Sequence, residues 1–154
     1  MSLLGRLIVI AFALIVALLA GGAAIAFGFI GPGWHPYSNG FGEGISFTIA
    51  MFFASSFAAA VGLLPAVILI ALAEAFKIRS LVVHALVGAA LLVAGYYASG
   101  LAPPSYEESI DNPPPPIPRA AEIVAAGGAV FGLAYWALAG RNAGRWREPR
   151  QPSA

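Results

Sequence analysis

The stretch that decides the fold is residues 7–30, LIVIAFALIVALLAGGAAIAFGFI, which contains no charged residue. About 20 consecutive apolar residues in a helix cross the hydrocarbon core of a bilayer, which is roughly 30 Å thick. Three further apolar stretches are long enough to do the same: residues 45–76, 81–101 and 120–140. The sequence therefore predicts an all-α integral membrane protein whose four transmembrane helices form an up-and-down bundle.

The composition of the whole chain agrees with this fold class. Of the 154 residues, 60% are hydrophobic and only 10% are charged, and the mean hydropathy is +0.84. A soluble domain of this size needs a more polar surface. Because the four stretches take up most of the chain, we expect a single membrane domain over residues 1–154, with a proline-rich outer loop at 102–118 and a basic cytoplasmic tail at 141–154.

The distribution of basic residues predicts the orientation. An up-and-down path leaves only Arg119 on one side and places seven basic residues on the other: Arg6, Lys77, Arg79, Arg141, Arg145, Arg147 and Arg150. Lys and Arg beside short loops favour the cytoplasmic side, so both termini are expected in the cytoplasm, in a bacterial inner membrane. We expect the last four arginines to anchor the chain at anionic lipid headgroups.

The first stretch has one alternative interpretation, a secretory signal peptide. Arg6 precedes it, and Ala24-Ile25-Ala26 resembles a small-x-small cleavage site. A signal core is roughly 7 to 15 residues long, whereas this apolar stretch continues past that site to Ile30. We therefore expect a retained transmembrane helix.

Residues 45–76 are longer than one membrane crossing requires, so this helix must tilt, bend or begin in the interface. Pro65 lacks a backbone N–H and its ring crowds the preceding turn, which predicts a kink there. Small residues at four-residue spacing predict close helix–helix packing. These packing faces consist of Ala54, Ala58, Gly62, Gly128 and Gly132.

Charge within or beside a membrane span is costly and usually has a reason. The candidate polar cluster comprises Glu74, Lys77, Arg79 and His84, which flank the predicted turn between the second and third helices. A carboxylate and an imidazole at similar depth suit proton relay or binding of a quinone headgroup. The structural alternative is that Glu74 pairs with Lys77 or Arg79, and that His84 bonds to Glu74 or to a carbonyl group.

The two outer loops are candidate contact surfaces because they are rich in proline and aromatic residues. We expect residues 31–44 to form turns that press Trp34, His35 and Tyr37 onto the membrane surface. In the second loop, consecutive prolines favour extended polyproline II, which either docks against aromatic surfaces or acts as a stiff spacer. These prolines are Pro113, Pro114, Pro115 and Pro116.

No motif in the sequence specifies a reaction. There is no GxGxxG, Walker A, HExxH or GxSxG pattern, there is no cysteine, and the two histidines fall on opposite sides of the membrane. We therefore expect no enzyme activity, no metal, no cofactor and no nucleic-acid partner. The bilayer is the expected environment, and a membrane-protein partner or a homo-oligomer is expected within it.

The absence of recognisable chemistry favours a non-catalytic accessory, structural or assembly subunit of a larger inner-membrane complex. One alternative is a small redox or proton-handling component that uses Glu74 and His84. Another is an oligomeric transporter or channel, for which Pro65, Ser55 and Ser56 are the candidate features.

Overall fold

The structure is a computed structural model that describes residues 3–31, 41–100 and 117–144, and the side chains of residues 4–31, 46–100 and 117–144. It contains four long helices: α1 (Leu3–Ile30), α2 (Phe41–Phe76), α3 (Leu81–Ala98) and α4 (Arg119–Leu138). A short 3₁₀ turn at Gly140–Asn142 follows α4. All four helices are long and apolar enough to cross a membrane, which confirms the predicted fold class.

The fourth helix has the most extensive packing in the bundle, because α4 packs closely against both α3 and α1. The second helix packs against α1 and only sparsely against α3. One apolar cluster joins α1 to α4, where Ala13 and Ala17 are fully buried against Phe131 and Tyr135. Since lipid tails are as apolar as leucine, these contacts stabilise the bundle by close packing rather than by removing apolar surface from water.

Glycines bring α3 and α4 into backbone contact. A Cβ atom on Gly88 would overlap the carbonyl oxygen of Gly128, and one on Gly132 would overlap the carbonyl oxygen of His84. On the other side of α4, a Cβ on Gly21 of α1 would lie 3.0 Å from the Gly127 carbonyl oxygen. The absence of side chains at these positions is therefore what allows α4 to approach both of its neighbours.

A tight turn joins α2 to α3. Lys77 has a left-handed backbone conformation with φ of 56°, and the Ile78 N–H donates to the Ala73 carbonyl oxygen at 2.9 Å. This is the bond of a Schellman motif, in which glycine is the usual left-handed residue. The Ser80 hydroxyl then caps α3 by accepting from the Val83 N–H at 3.5 Å, so one short segment ends one helix and begins the next.

The second helix continues without a break from Phe41 to Phe76 and contains Pro65 in its interior. The kink predicted at Pro65 stays a prediction. In the first half of the helix, the Ser55 hydroxyl donates to the Met51 carbonyl oxygen at 2.8 Å and lies 3.2 Å from the Leu18 carbonyl oxygen of α1. Ser55 therefore satisfies its hydrogen-bonding capacity inside the bundle, as hydroxyls in membrane helices commonly do.

Candidate functional site

A buried ion pair connects the start of α1 to the end of α2. Arg6 is 5% exposed and Glu74 is 8% exposed. The Arg6 Nε atom donates to Glu74 Oε1 at 3.0 Å, and Arg6 Nη2 also contacts Oε1. Two buried charges are tolerated in a low-dielectric setting only when they neutralise each other and satisfy their remaining hydrogen-bonding groups.

The remaining groups of this pair bind the end of α4. Arg6 Nη2 donates to the Ala139 carbonyl oxygen at 2.9 Å, and the Gly144 N–H donates to Glu74 Oε2 at 2.8 Å. The carbonyl groups at a helix C-terminus have no partner within the helix and carry partial negative charge, so a guanidinium group suits that position. We call Arg6, Glu74 and the backbone groups of Ala139 and Gly144 the basic-end network.

The α2–α3 turn is tied to the same end of the bundle. Arg79 Nε donates to the Ala143 carbonyl oxygen at 2.9 Å, and the Trp136 indole N–H donates to the Arg79 carbonyl oxygen at 2.8 Å. We call this end, where α1 and α3 begin and α2 and α4 end, the basic end. Helices α1, α2 and α4 each have a side chain in these contacts, and Arg79 lies in the turn that leads into α3.

The predicted polar cluster is partly assembled in the structure. Glu74 and Arg79 both bind groups at the basic end, but the ion-pair partner of Glu74 is Arg6 rather than the expected Lys77 or Arg79. The sequence did not predict Arg6 as the partner of Glu74, because only basic residues near Glu74 along the chain, Lys77 and Arg79, were considered. The available signal was that the predicted topology placed Arg6 on the same side as the α2–α3 turn.

His84, in the first turn of α3, has one satisfied and one unsatisfied nitrogen. Its Nδ1 atom lies 2.8 Å from the Ser80 carbonyl oxygen, and since a carbonyl oxygen only accepts, Nδ1 carries the proton in this contact. The Nε2 atom is buried without a hydrogen-bond partner in the part of the chain that the structure describes. A Cβ on Gly140 would lie 2.8 Å from it, so this edge of the ring faces the end of α4.

The His84 ring also stacks on Tyr135 of α4, with centroids 6.0 Å apart and an interplanar angle of 23°. The expectation that His84 bonds to a carbonyl group agrees with its contact with Ser80. Its other ring contacts bind α3 to α4, so His84 contributes to helix packing as well as carrying a titratable group.

A cavity of about 260 Å³ lies between α2 and α3 in the half of the bundle nearest the basic end. Its walls are mainly apolar side chains of the two helices, and Phe131 and Tyr135 of α4 also line it. His84 lines one edge. The cavity exists because α2 and α3 pack sparsely here, in contrast to the glycine contacts between α3 and α4.

The predicted packing faces all lie against other helices of the bundle. Gly128 and Gly132 contact α3, Gly62 faces Leu92 of α3, and Ala58 is 2% exposed. Ala54 packs against the cluster that contains Ala58. Internal packing therefore uses these faces, and they supply no surface for a further partner.

Several predicted contact residues lie outside the described part of the chain. They are Trp34, His35, Tyr37, Pro113, Pro114, Pro115 and Pro116 in the outer loops, and Arg145, Arg147 and Arg150 in the basic tail. Arg141 lies in the 3₁₀ turn after α4 and is exposed. Its role in lipid anchoring stays a prediction.

Comparison of the chain with protein-family models, curated proteins and solved structures finds no match. Within residues 3–31, 41–100 and 117–144 there is also no group of three or more residues of the types that hold metal ions. The fold and the candidate site together define a class, the four-helix membrane proteins. In this chain, a buried ion pair joins helix ends of the bundle.

Proposed function

We propose that this chain is a non-catalytic accessory, structural or assembly subunit of a larger membrane complex. We further propose that it resides in a bacterial inner membrane with both termini in the cytoplasm, and that its partner is another membrane protein or a second copy of itself. The orientation is supported by the grouping of Arg6, Lys77, Arg79 and Arg141 near one end of the bundle and by the preference of such residues for the cytoplasmic side.

One observation carries the functional proposal. The buried polar side chains in the described part of the chain are Arg6, Ser55 and Glu74, and each binds another part of the same bundle. Catalytic and transport sites need buried polar groups that are directed at a substrate. Buried polar groups that instead bind neighbouring segments of the same bundle are typical of a protein whose task is to keep a defined shape.

One surface available to a partner is the outward face of α2. Because the small-residue faces pack internally, contact with a partner would use large apolar side chains, among which Phe53 is 73% and Leu64 is 77% exposed. Membrane helices associate through complementary packing, so this face is suited to a partner helix as well as to lipid.

Co-purification from native membranes tests the proposal. The tagged chain is extracted with a gentle detergent and separated on a native gel, and the proteins that travel with it are identified by mass spectrometry. An unrelated four-helix membrane protein with the same tag and expression level is the control. We expect a reproducible stoichiometric partner, whereas migration as a lone monomer in every detergent tried would refute the proposal.

A redox or proton-handling component remains the second candidate, and the unsatisfied Nε2 atom of His84 is the observation that favours it. Histidine titrates near neutral pH and moves protons in many membrane proteins. The discriminating variant is His84→Phe, which retains a stacked ring but cannot titrate, with Val82→Phe on the exposed face of α3 as its control. Loss of proton flux in His84→Phe alone would favour this second function over the first.

A further inference from the structure

The cavity between α2 and α3 opens sideways, toward the surroundings of the bundle. Two of its α2 side chains, Leu72 and Phe76, and two of its α3 side chains, Val83 and Val87, are exposed. In a bilayer those surroundings are lipid, because both helices are spans. A molecule therefore reaches this cavity from the membrane and not from water.

The chemistry of the walls decides what the cavity holds. A buried water needs two to four polar partners, and apolar cavities of roughly 150 Å³ stay dry and take up apolar molecules. This cavity is larger, at about 260 Å³. The Nδ1–H of His84 at its edge is already donated to Ser80, and the Nε2 atom of the ring faces Gly140 at the end of α4. The fitting occupant is therefore a flexible hydrocarbon chain.

A basic residue, Lys77, adjoins the cavity at the basic end. Lys77 stands between Phe76 and Ile78, and both of these line the cavity. The left-handed turn at Lys77 brings its side-chain stem close to Gly144, since a Cβ there would lie 2.6 Å from Lys77 Cγ. Among the described residues Lys77 forms no ion pair and it is exposed, so its ammonium group is available to an anionic headgroup at the membrane surface.

We propose that the α2–α3 cavity is a binding site for an anionic phospholipid, which inserts one acyl chain between the helices and places its headgroup against Lys77. The site binds a lipid of the leaflet at the basic end. It fills the poorly packed seam of the bundle without displacing any contact described above. This inference stands independently of the proposed function, because a lipid site serves a lone protein as well as a subunit.

Native mass spectrometry of the full chain, released from nanodiscs of phosphatidylglycerol and phosphatidylcholine, tests the acyl-chain part of the proposal. We expect the wild-type protein to retain phosphatidylglycerol. The Ala73→Phe variant, whose new side chain fills the cavity, should retain at least about tenfold less of this lipid. Ala71→Phe is the matched control, since Ala71 is an exposed residue outside the cavity. Equal retention by both variants would overturn the proposal.

The headgroup part is tested at Lys77. Lys77→Gln should reduce the preference for phosphatidylglycerol over phosphatidylcholine by about fivefold, the effect of one cation at the membrane surface, and Lys77→Arg should retain the preference. An unchanged preference in Lys77→Gln would remove the headgroup contact from the proposal.

A measurement on the unmodified chain covers the case in which Ala73→Phe does not fold. A phosphatidylglycerol carrying a photoreactive acyl chain should label residues 66–76 and 83–91 well above the other lipid-facing surfaces. Even labelling of all four helices would contradict the site. Co-purification of a quinone or another lipophile bound in the cavity in place of phospholipid would also contradict it.

Discussion

The two seams formed by α3 differ sharply although both pair apolar helices. Against α4, Gly88, Gly128 and Gly132 bring the two backbones together. Against α2, in the half of the seam nearest the basic end, large side chains meet and leave a cavity of about 260 Å³. A short connection therefore does not ensure close packing in a membrane, where small residues matter more than sequence proximity.

The comparison also explains the position of the ion pair. Because α2 gains little from its sparse contact with α3, its end is held by α1 and by the turn after α4, through Glu74. Among the described residues, no ion pair joins α3 to α4 across the tightly packed seam. Substitutions at the ion pair and at the two seams distinguish these two ways of holding a helix.

The largest effect is expected from Glu74→Gln, which leaves the buried Arg6 guanidinium without its counter-charge. Removing one partner of a buried pair costs about 3–5 kcal/mol. Reversible unfolding in mixed detergent and SDS micelles measures the loss, and Glu122→Gln on an exposed position of α4 is the matched control. The double variant Arg6→Met/Glu74→Leu should recover most of the stability, because similarly sized apolar residues replace both charges.

That prediction fails if Glu74→Gln and Glu122→Gln unfold at the same SDS concentration. Such a result would mean that α2 is held by its contacts with α1 alone. The basic-end network would then be a consequence of the packing rather than a cause of it.

The next effect is at the tight seam. Gly88→Val should destabilise the protein by about 1–3 kcal/mol or more, because the new side chain meets the Gly128 carbonyl group and forces α3 away from α4. Ala90→Val is the control, since Ala90 is exposed on the same helix. The same SDS titration compares the two, and a Gly88→Val variant as stable as the wild type would show that this seam has room to adjust.

A smaller effect is expected at the link between α4 and the α2–α3 turn. Trp136→Phe removes the indole donor from the Arg79 carbonyl oxygen while it retains a large ring. One hydrogen bond of this kind contributes about 1 kcal/mol. Hydrogen exchange of the turn amides measures the change locally, and unaltered exchange around Arg79 would remove this bond from the set of contacts that fix the turn.

The sequence was sufficient to predict the four spans because each is a long uncharged segment, and a bilayer accepts little else. It also located Glu74 and Arg79 at the candidate site, since charges beside spans are rare enough to stand out. It did not indicate Arg6 as the partner of Glu74, because that contact depends on which helix ends meet and lies across most of the chain. The cavity was equally inaccessible, since it results from the relative positions of whole side-chain faces.

The smallest effect should come from the loose seam, and its size is informative because of the contrast with Gly88→Val. Ala73 lines the cavity, so Ala73→Leu adds apolar volume where space exists. In lipid-free detergent its stability should stay within about 1 kcal/mol of the wild type or rise slightly, as cavity-filling substitutions do. The two substitutions would then differ in their effect on stability, because the new side chain of Gly88→Val meets the backbone of α4 whereas that of Ala73→Leu enters the cavity. If Ala73→Leu destabilises the protein as much as Gly88→Val, the α2–α3 seam closes in detergent, and the distinction between the seams disappears there.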